Sequence, residues 1–456
     1  MRVECIEEVT NQNANDIQRI HAGRSTDDEP SFKVYNRVVF SLKLENQIPT
    51  QYRSNFIHLY FDMGWFGVLS GSAVNFLGIY AARLGASANE IGLLSAVGAM
   101  VSLMLAIPSG HWIARRPIGK AVFWTSVLYR LGFLLWIPLP WIFGNQAQVW
   151  ALIILALLMA IPLTPLSVGF NALFASAVPD EYRAHVAGIR NVVLSVTYIL
   201  SSLLSGYLLG AFKFPVGYQI VFAVGFFGAA MSSLHLYFVK PLPLSDVKPH
   251  HSEPEPDEIP DEADRPLDFS SAIRADVWST RFRNVLLVLM GFHLAQYLAL
   301  PVFPLYQVNV LHLTDDEIGI GSALFYLIVL FGSTQLRRAV HKIGHHNVTA
   351  LGVFGMGLYP FMLALSKNAL DFYILSAVGG LSWALAGGAY ANYLLERIPA
   401  HDRPAYLAWY NVILNACILI GSLVGPLIAN GIGLVAALFV FAAIRSLAGI
   451  AIWKWG

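Results

Sequence analysis

Apolar residues in this chain run in blocks of about 20 or more, each bounded by a short polar or charged turn. Twelve blocks can be read. Six lie near 56–80, 91–113, 121–143, 148–175, 186–211 and 217–239, and six near 285–309, 317–337, 347–366, 370–395, 405–430 and 433–453. At 1.5 Å per residue, about 20 residues cross the ~30 Å hydrocarbon core of a bilayer. Each block is predicted to be a helix, because hydrocarbon offers no partner to an unpaired backbone group. The expected organisation is a polar N-terminal extension (1–54), a six-helix bundle (55–239), a linker (240–284) and a second six-helix bundle (285–456). The linker is acidic and proline-rich from His250 to Asp264, a composition that buries no core. Ala272 to Arg283 is predicted to be a short amphipathic helix leading into the seventh span.

The two halves echo each other. Leu84 to Ala96 aligns, 227 positions later, with Leu311 to Ala323, and Leu84, Glu90, Ile91, Gly92, Ser95 and Ala96 meet identical residues. A second match, offset by 220, pairs Pro179, Arg183, Asn191, Val192 and Leu194 with Pro399, Arg403, Asn411, Val412 and Leu414. A membrane protein built from similar halves usually carries its working site at the seam between them. Small residues at four-residue spacing, Ser202, Gly206 and Gly210 in the fifth span and Gly421 and Gly425 in the eleventh, allow close helix approach in lipid.

Composition agrees: 56% of residues are hydrophobic and 12% charged, against about a quarter charged in soluble domains. Charge placement then orients the chain. With the N-terminus in the cytoplasm, 24 of the 29 Lys and Arg fall in the tail, the inward loops and the C-terminus. That is the positive-inside asymmetry, and it puts both ends in the cytoplasm. The net charge of +1 gives no footing for nucleic acid. Cys5 and Cys417 offer neither a disulfide nor a metal framework, so no cofactor is expected.

Twelve spans as six plus six, a long central loop and both ends inside resemble the major facilitator superfamily (MFS). Two local features carry the likeness. Gly110-His-Trp-Ile-Ala-Arg115-Arg116-Pro-Ile-Gly119-Lys120, between spans two and three, is similar to the family's basic loop motif, with a degenerate copy at Lys342 and Gly344. Pro179 to Arg183, echoed by Pro399 to Arg403, is the second. The motif's acidic residue is replaced here by Ala114, so gating contacts differ from those of relatives. The fold class this implies is an all-α integral membrane protein with two pseudo-symmetric six-helix bundles. Gly110, Arg115, Arg116, Gly119, Lys342 and Gly344 would form its gating loops, with tight turns at the glycines. By the same resemblance, spans 1, 4, 7 and 10 line a central cavity.

Unusual polar residues in those spans are the candidates for solute binding or coupling. Asp62, a carboxylate placed in hydrocarbon, is functional by default; a proton-coupling role competes with pairing to Arg130 or Arg190. His58, four residues earlier, shares its face and could support its charge. Asn75 is a further contact in span one, and Asn171 lies beyond Pro162 and Pro165 in span four. His293 and Gln296 share a face of span seven, and Trp383, Tyr390 and Asn392 belong to span ten. Arg130 and Arg445 are expected to snorkel or pair with loop acids.

The expected function is secondary active transport of a small organic solute across the cytoplasmic membrane by alternating access, coupled to protons. An enzyme is not expected, since no Ser/His/Asp constellation, metal cluster or paired membrane carboxylates support one, and neither is ATP drive, since no G-x-x-x-x-G-K loop is present. Membrane lipids are the surroundings, nucleic acid is not a partner, and a monomer is expected. Alternatives are a non-transporting membrane sensor or interaction protein, and a lipid flippase on the same fold.

Overall fold

The computed structural model describes residues 49–242, 275–399 and 403–456. Most of the expected extension 1–54 and linker 240–284 lies outside them. Residues 54–456 form one compact unit. Its helices are α1 (Thr50–Arg83), α2 (Ala88–Ala114), α3 (Ile118–Trp136), α4 (Asn145–Ala177), α5 (Asp180–Ala211), α6 (Val216–Phe238), α7 (Phe282–Asn309), α8 (315–343), α9 (345–365), α10 (Ala369–Glu396), α11 (Arg403–Ile432) and α12 (Leu434–Trp455). No strand occurs among the described residues. Ahead of α7, the described part of the predicted amphipathic helix is a five-residue 3₁₀ turn, Ala275–Ser279.

Eleven helical stretches among the described residues are long and apolar enough to cross a membrane. One of them, Asp315–Leu365, runs for 51 residues, which as a straight helix would reach about 77 Å. It is two spans. Gly344 breaks it with φ 78° and ψ 163°, a left-handed conformation open to glycine but strained for other residues. Both arms return to the same level of α10. A Cβ at Gly332 would lie 2.6 Å from that of Ala384, and one at Gly352 would lie 2.8 Å from the Cα of Ala386. Twelve spans result, as the hydropathy pattern predicts.

The repeated sequence builds repeated structure. Ser87 caps α2 by accepting from the Glu90 N–H (3.3 Å), while the Glu90 carboxylate accepts from the Ser87 N–H (2.8 Å). Thr314 and Glu317 make the same reciprocal cap at α8. Two residues beyond each glutamate stands a glycine of the repeat, and each meets the other half. Gly92 faces the backbone carbonyl of Ser422 on α11, with Pro426 beside it. Gly319 faces the carbonyl of Ser202 on α5, 2.8 Å from where its Cβ would be, with Gly206 beside it. Positions 202 and 422 are themselves related by the 220-residue offset. The Ser202, Gly206 and Gly210 stripe therefore serves the seam, whereas Gly421 and Gly425 pack on Tyr297 and Leu298 of α7 within their own half. The helix α2 crosses α11 at Gly92 and Ser422, and α5 crosses α8 at Ser202 and Gly319, through two equivalent contacts.

Candidate functional site

The end of the bundle away from the first turn of α1 is tied across the halves. The Arg83 guanidinium pairs with Asp315 at 2.9 Å and donates to the Leu313 carbonyl at 2.6 Å. Asn430 donates to Asn89 at 3.1 Å. One layer deeper, α1 widens into a π turn at Ser70–Val74. The Val68 carbonyl there accepts from Ser72 (2.6 Å) and from Ser201 on α5 (2.9 Å). Asn75 follows directly and becomes a junction. Its Oδ1 accepts from the Tyr198 hydroxyl at 2.8 Å and from Ser322 of α8 at 3.4 Å, and its Nδ2 donates to Ser202 at 3.4 Å. Tyr198 stacks on Tyr326 of α8 with ring centroids 3.7 Å apart, the closest aromatic contact across the seam.

Against that stack lies a cavity of about 310 Å³. Its wall comes from α7 (Gln296, Phe303, Gln307), α8 (Ser322, Phe325, Tyr326), α9 (Tyr359), α10 (Phe372, Ser376, Trp383), α12 (Arg445) and Tyr198 of α5. Gln296 and Trp383 are the sequence candidates that line it. The cavity is otherwise displaced from expectation. Apart from Tyr198 its wall belongs to the C-terminal half; α1 and α4 do not contribute to it, while α8, α9 and α12 do. The Tyr198–Tyr326 stack closes the side on which α1 and α4 were expected.

Arg445 joins this wall beside a break in α7. Its helix stops at Ala299 and resumes at Val302, since Pro301 has no N–H to continue the ladder. Arg445 binds the last turn before that break. Its Nε donates to Ala295 O (3.2 Å), Nη2 to Gln296 O (2.8 Å) and Nη1 to Met356 O (3.5 Å), and the guanidinium lies 5.4 Å from the Phe303 ring centre. Only 3% of the residue is exposed, so it neither snorkels nor meets a loop acid.

A second polar cluster lies inside the N-terminal half. Asp62 pairs with Arg130 of α3 (3.7 Å) and Arg190 of α5 (3.5 Å), and accepts from Ser232 of α6 at 2.5 Å. Arg130 also donates to Ser126 (2.7 Å) and Ser233 (2.9 Å), while Arg190 lies over the rings of Phe170 and Phe174 of α4. Arg130 pairs rather than snorkels. The pairing reading of Asp62 is what the geometry displays. His58 turns away from it: its Nδ1 meets Nδ1 of His235 at 3.0 Å, so one ring must donate while the other accepts.

The remaining candidates separate. His293 is buried and bonded through Nε2 to the Tyr410 hydroxyl at 2.9 Å, with Tyr390 edge-on to its ring, so these residues pack together outside the cavity wall. Asn171 and Asn392 are exposed on α4 and α10. Gly110 lies inside α2 and Gly119 inside α3, so neither makes the tight turn expected; that turn is 115–117. Arg115, Arg116 and Lys342 are exposed, and Arg116 folds back over Trp112, with its guanidinium 4.3 Å from the ring centre. Of the expected gating glycines only Gly344 takes a positive φ.

Arg83, Asp315, Tyr198, Tyr326, Gln307, Ser232 and His235 were not singled out from sequence. For Asp315 there was a signal, because it stands inside the repeated segment. The others are single polar residues in apolar helices, whose partners come from distant positions.

A profile of the Major Facilitator Superfamily matches residues 59–412 and 285–456. The chain is 23% identical over 147 residues to the quinolone resistance protein NorA of Staphylococcus aureus, a match covering 32% of the chain and 37% of NorA. It is 22% identical over 269 residues to a cis,cis-muconate transport protein of Acinetobacter baylyi, covering 57% of the chain and 61% of that protein. The chain thus spans less than two thirds of these relatives. Its fold is that of a D-xylose-proton symporter (TM-score 0.65, 16% identity, 88% of this chain and 97% of that one). It is equally that of the nucleoside transporter NupG (TM-score 0.61, 14% identity, 88% and 98%).

Proposed function

Because the chain belongs to the Major Facilitator Superfamily, we propose that it is a secondary transporter moving a small organic solute across the cell membrane by alternating access. One observation carries the reading. A solute-sized cavity has, as part of its wall, the Tyr198–Tyr326 stack that joins the halves. A solute seated there touches both halves at once, so its binding free energy differs between the joined and parted states. That difference is what a shift between states requires. The positive-inside asymmetry supports cytoplasmic chain ends; in that orientation the tied end faces outward and the solute enters or leaves on the cytoplasmic side. Gly344, with Arg115, Arg116 and Lys342, belongs to the turns that reshape as the halves rock.

Protons are the proposed coupling ion, and Asp62 their carrier. It is the only buried carboxylate among the described residues. Protonation would release both Arg130 and Arg190, so its charge state sets how α1 packs on α3 and α5. The test is uptake of labelled solutes into proteoliposomes under an imposed pH gradient, wild type against Asp62→Asn. The gradient should drive accumulation in the wild type only. Equal drive in both proteins removes Asp62 from the coupling role, and no counterflow of any solute removes the transport reading.

A further inference from the structure

Resting on that transport reading, we propose that the solute is an organic anion with a flat unsaturated body, its carboxylate drawn to Arg445. The buried formal charges among the described residues are Asp62, Arg130, Arg190 and Arg445. Three guanidiniums against one carboxylate leave an excess of positive charge in the membrane interior. Asp62 answers part of it in the N-terminal half. Arg445, in the other half, takes no part in any of the ion pairs among the described residues.

The partners of Arg445 are the carbonyls of Ala295, Gln296 and Met356. They engage three of its five N–H groups, and dipoles orient a charge without cancelling it. A buried cation lacking a counter-ion is costly in an apolar setting. An anion in the adjoining cavity relieves that cost, whereas a cationic solute adds to it. Planar guanidinium and planar carboxylate also fit each other through paired hydrogen bonds. The rest of the wall selects the body of the solute: Phe303, Phe325, Tyr326, Tyr359, Phe372 and Trp383 offer ring faces and edges. Gln296 and Gln307 supply neutral polar contacts. About 310 Å³ corresponds to the space of roughly ten water molecules, suited to one ring with a short acidic arm.

A purely structural Arg445, binding the last turn before the break in α7, makes a different forecast: substitution lowers stability and leaves ligand preference alone. The experiment separates the two on the full-length protein in lipid nanodiscs. Benzoate and cinnamate are titrated calorimetrically against benzamide, cinnamamide and benzylamine, and the same compounds are used in proteoliposome counterflow. Wild type should bind at least one acid about tenfold or more tighter than its amide, and the amine not at all. Arg445→Gln should erase the preference and Arg445→Lys should keep part of it. Should Arg445→Gln fail to fold, the wild-type contrast of acid with amide decides. Amide or amine bound as tightly as acid, no acid bound, or a preference surviving in Arg445→Gln overturns the proposal. Counterflow of amides alone sinks this inference and spares transport; acid binding without any counterflow does the reverse.

Discussion

Replacing Gly319 by alanine places a methyl carbon 2.8 Å from the Ser202 carbonyl oxygen and 3.0 Å from the Cα of Gly206. Both neighbours are backbone, so relief requires α5 and α8 to move apart. Overpacking of this kind costs about 1–3 kcal/mol. The penalty falls only on the state in which the two helices touch. The gain in helix propensity, up to ~1 kcal/mol, applies to both states and drops out of their ratio. The population should therefore move toward the parted state by about 5- to 150-fold, at a factor of 10 per 1.4 kcal/mol. Spin labels at Asn89→Cys and Asn430→Cys, whose native side chains touch at 3.1 Å, report the separation by pulsed electron resonance in a background where Cys5→Ser and Cys417→Ser remove both native thiols. The short-distance peak of the parent should shrink as a longer one grows, and Gly92→Ala should act likewise through the equivalent crossing. Unchanged distance distributions in folded Gly319→Ala protein would refute the view that glycine contact holds this end together.

Two further outcomes follow from the buried polar groups. Asp62→Asn strands Arg130 and Arg190 without a counter-ion and should cost about 3–5 kcal/mol, read by chemical denaturation; adding Arg190→Gln should recover part of the loss, and no recovery argues against the pairing. Tyr410→Phe removes one hydrogen bond to His293 and should cost about 1 kcal/mol while leaving counterflow intact. A large fall in transport at unchanged stability would return His293 to the solute site.

Architecture was legible because hydrocarbon imposes a length and a polarity on every span, and the duplicated segment carried more than symmetry. Glu90 and Glu317 proved to be capping residues, and Gly92 and Gly319 proved to be the points where the halves meet. The site was less legible. Arg445 reads in sequence as a snorkelling residue; it is held instead by carbonyls of Ala295, Gln296 and Met356, on helices about 90 to 150 positions earlier. The interruption at Pro301 and the stack of Tyr198 on Tyr326 together shift the cavity into one half, and neither contact leaves a periodic trace. His293 failed as a cavity residue because its partner, Tyr410, comes from another helix. Gly110 and Gly119 failed because a motif fixes residue types without fixing where a helix ends.

The two glycine crossings stand close to one end of long, stiff rods. From Gly92 to the last residue of α2, Ala114, is about 33 Å at 1.5 Å per residue. A tilt of about 10° around such a fulcrum sweeps the far tip through roughly 6 Å over that length, enough to admit a small molecule, while the atoms at the fulcrum barely shift. Leverage lets a tight joint and a wide mouth coexist in one motion. A modest wedge beside Gly92 or Gly319 would thus be felt most strongly at the opposite end of the bundle, far from where it is driven in.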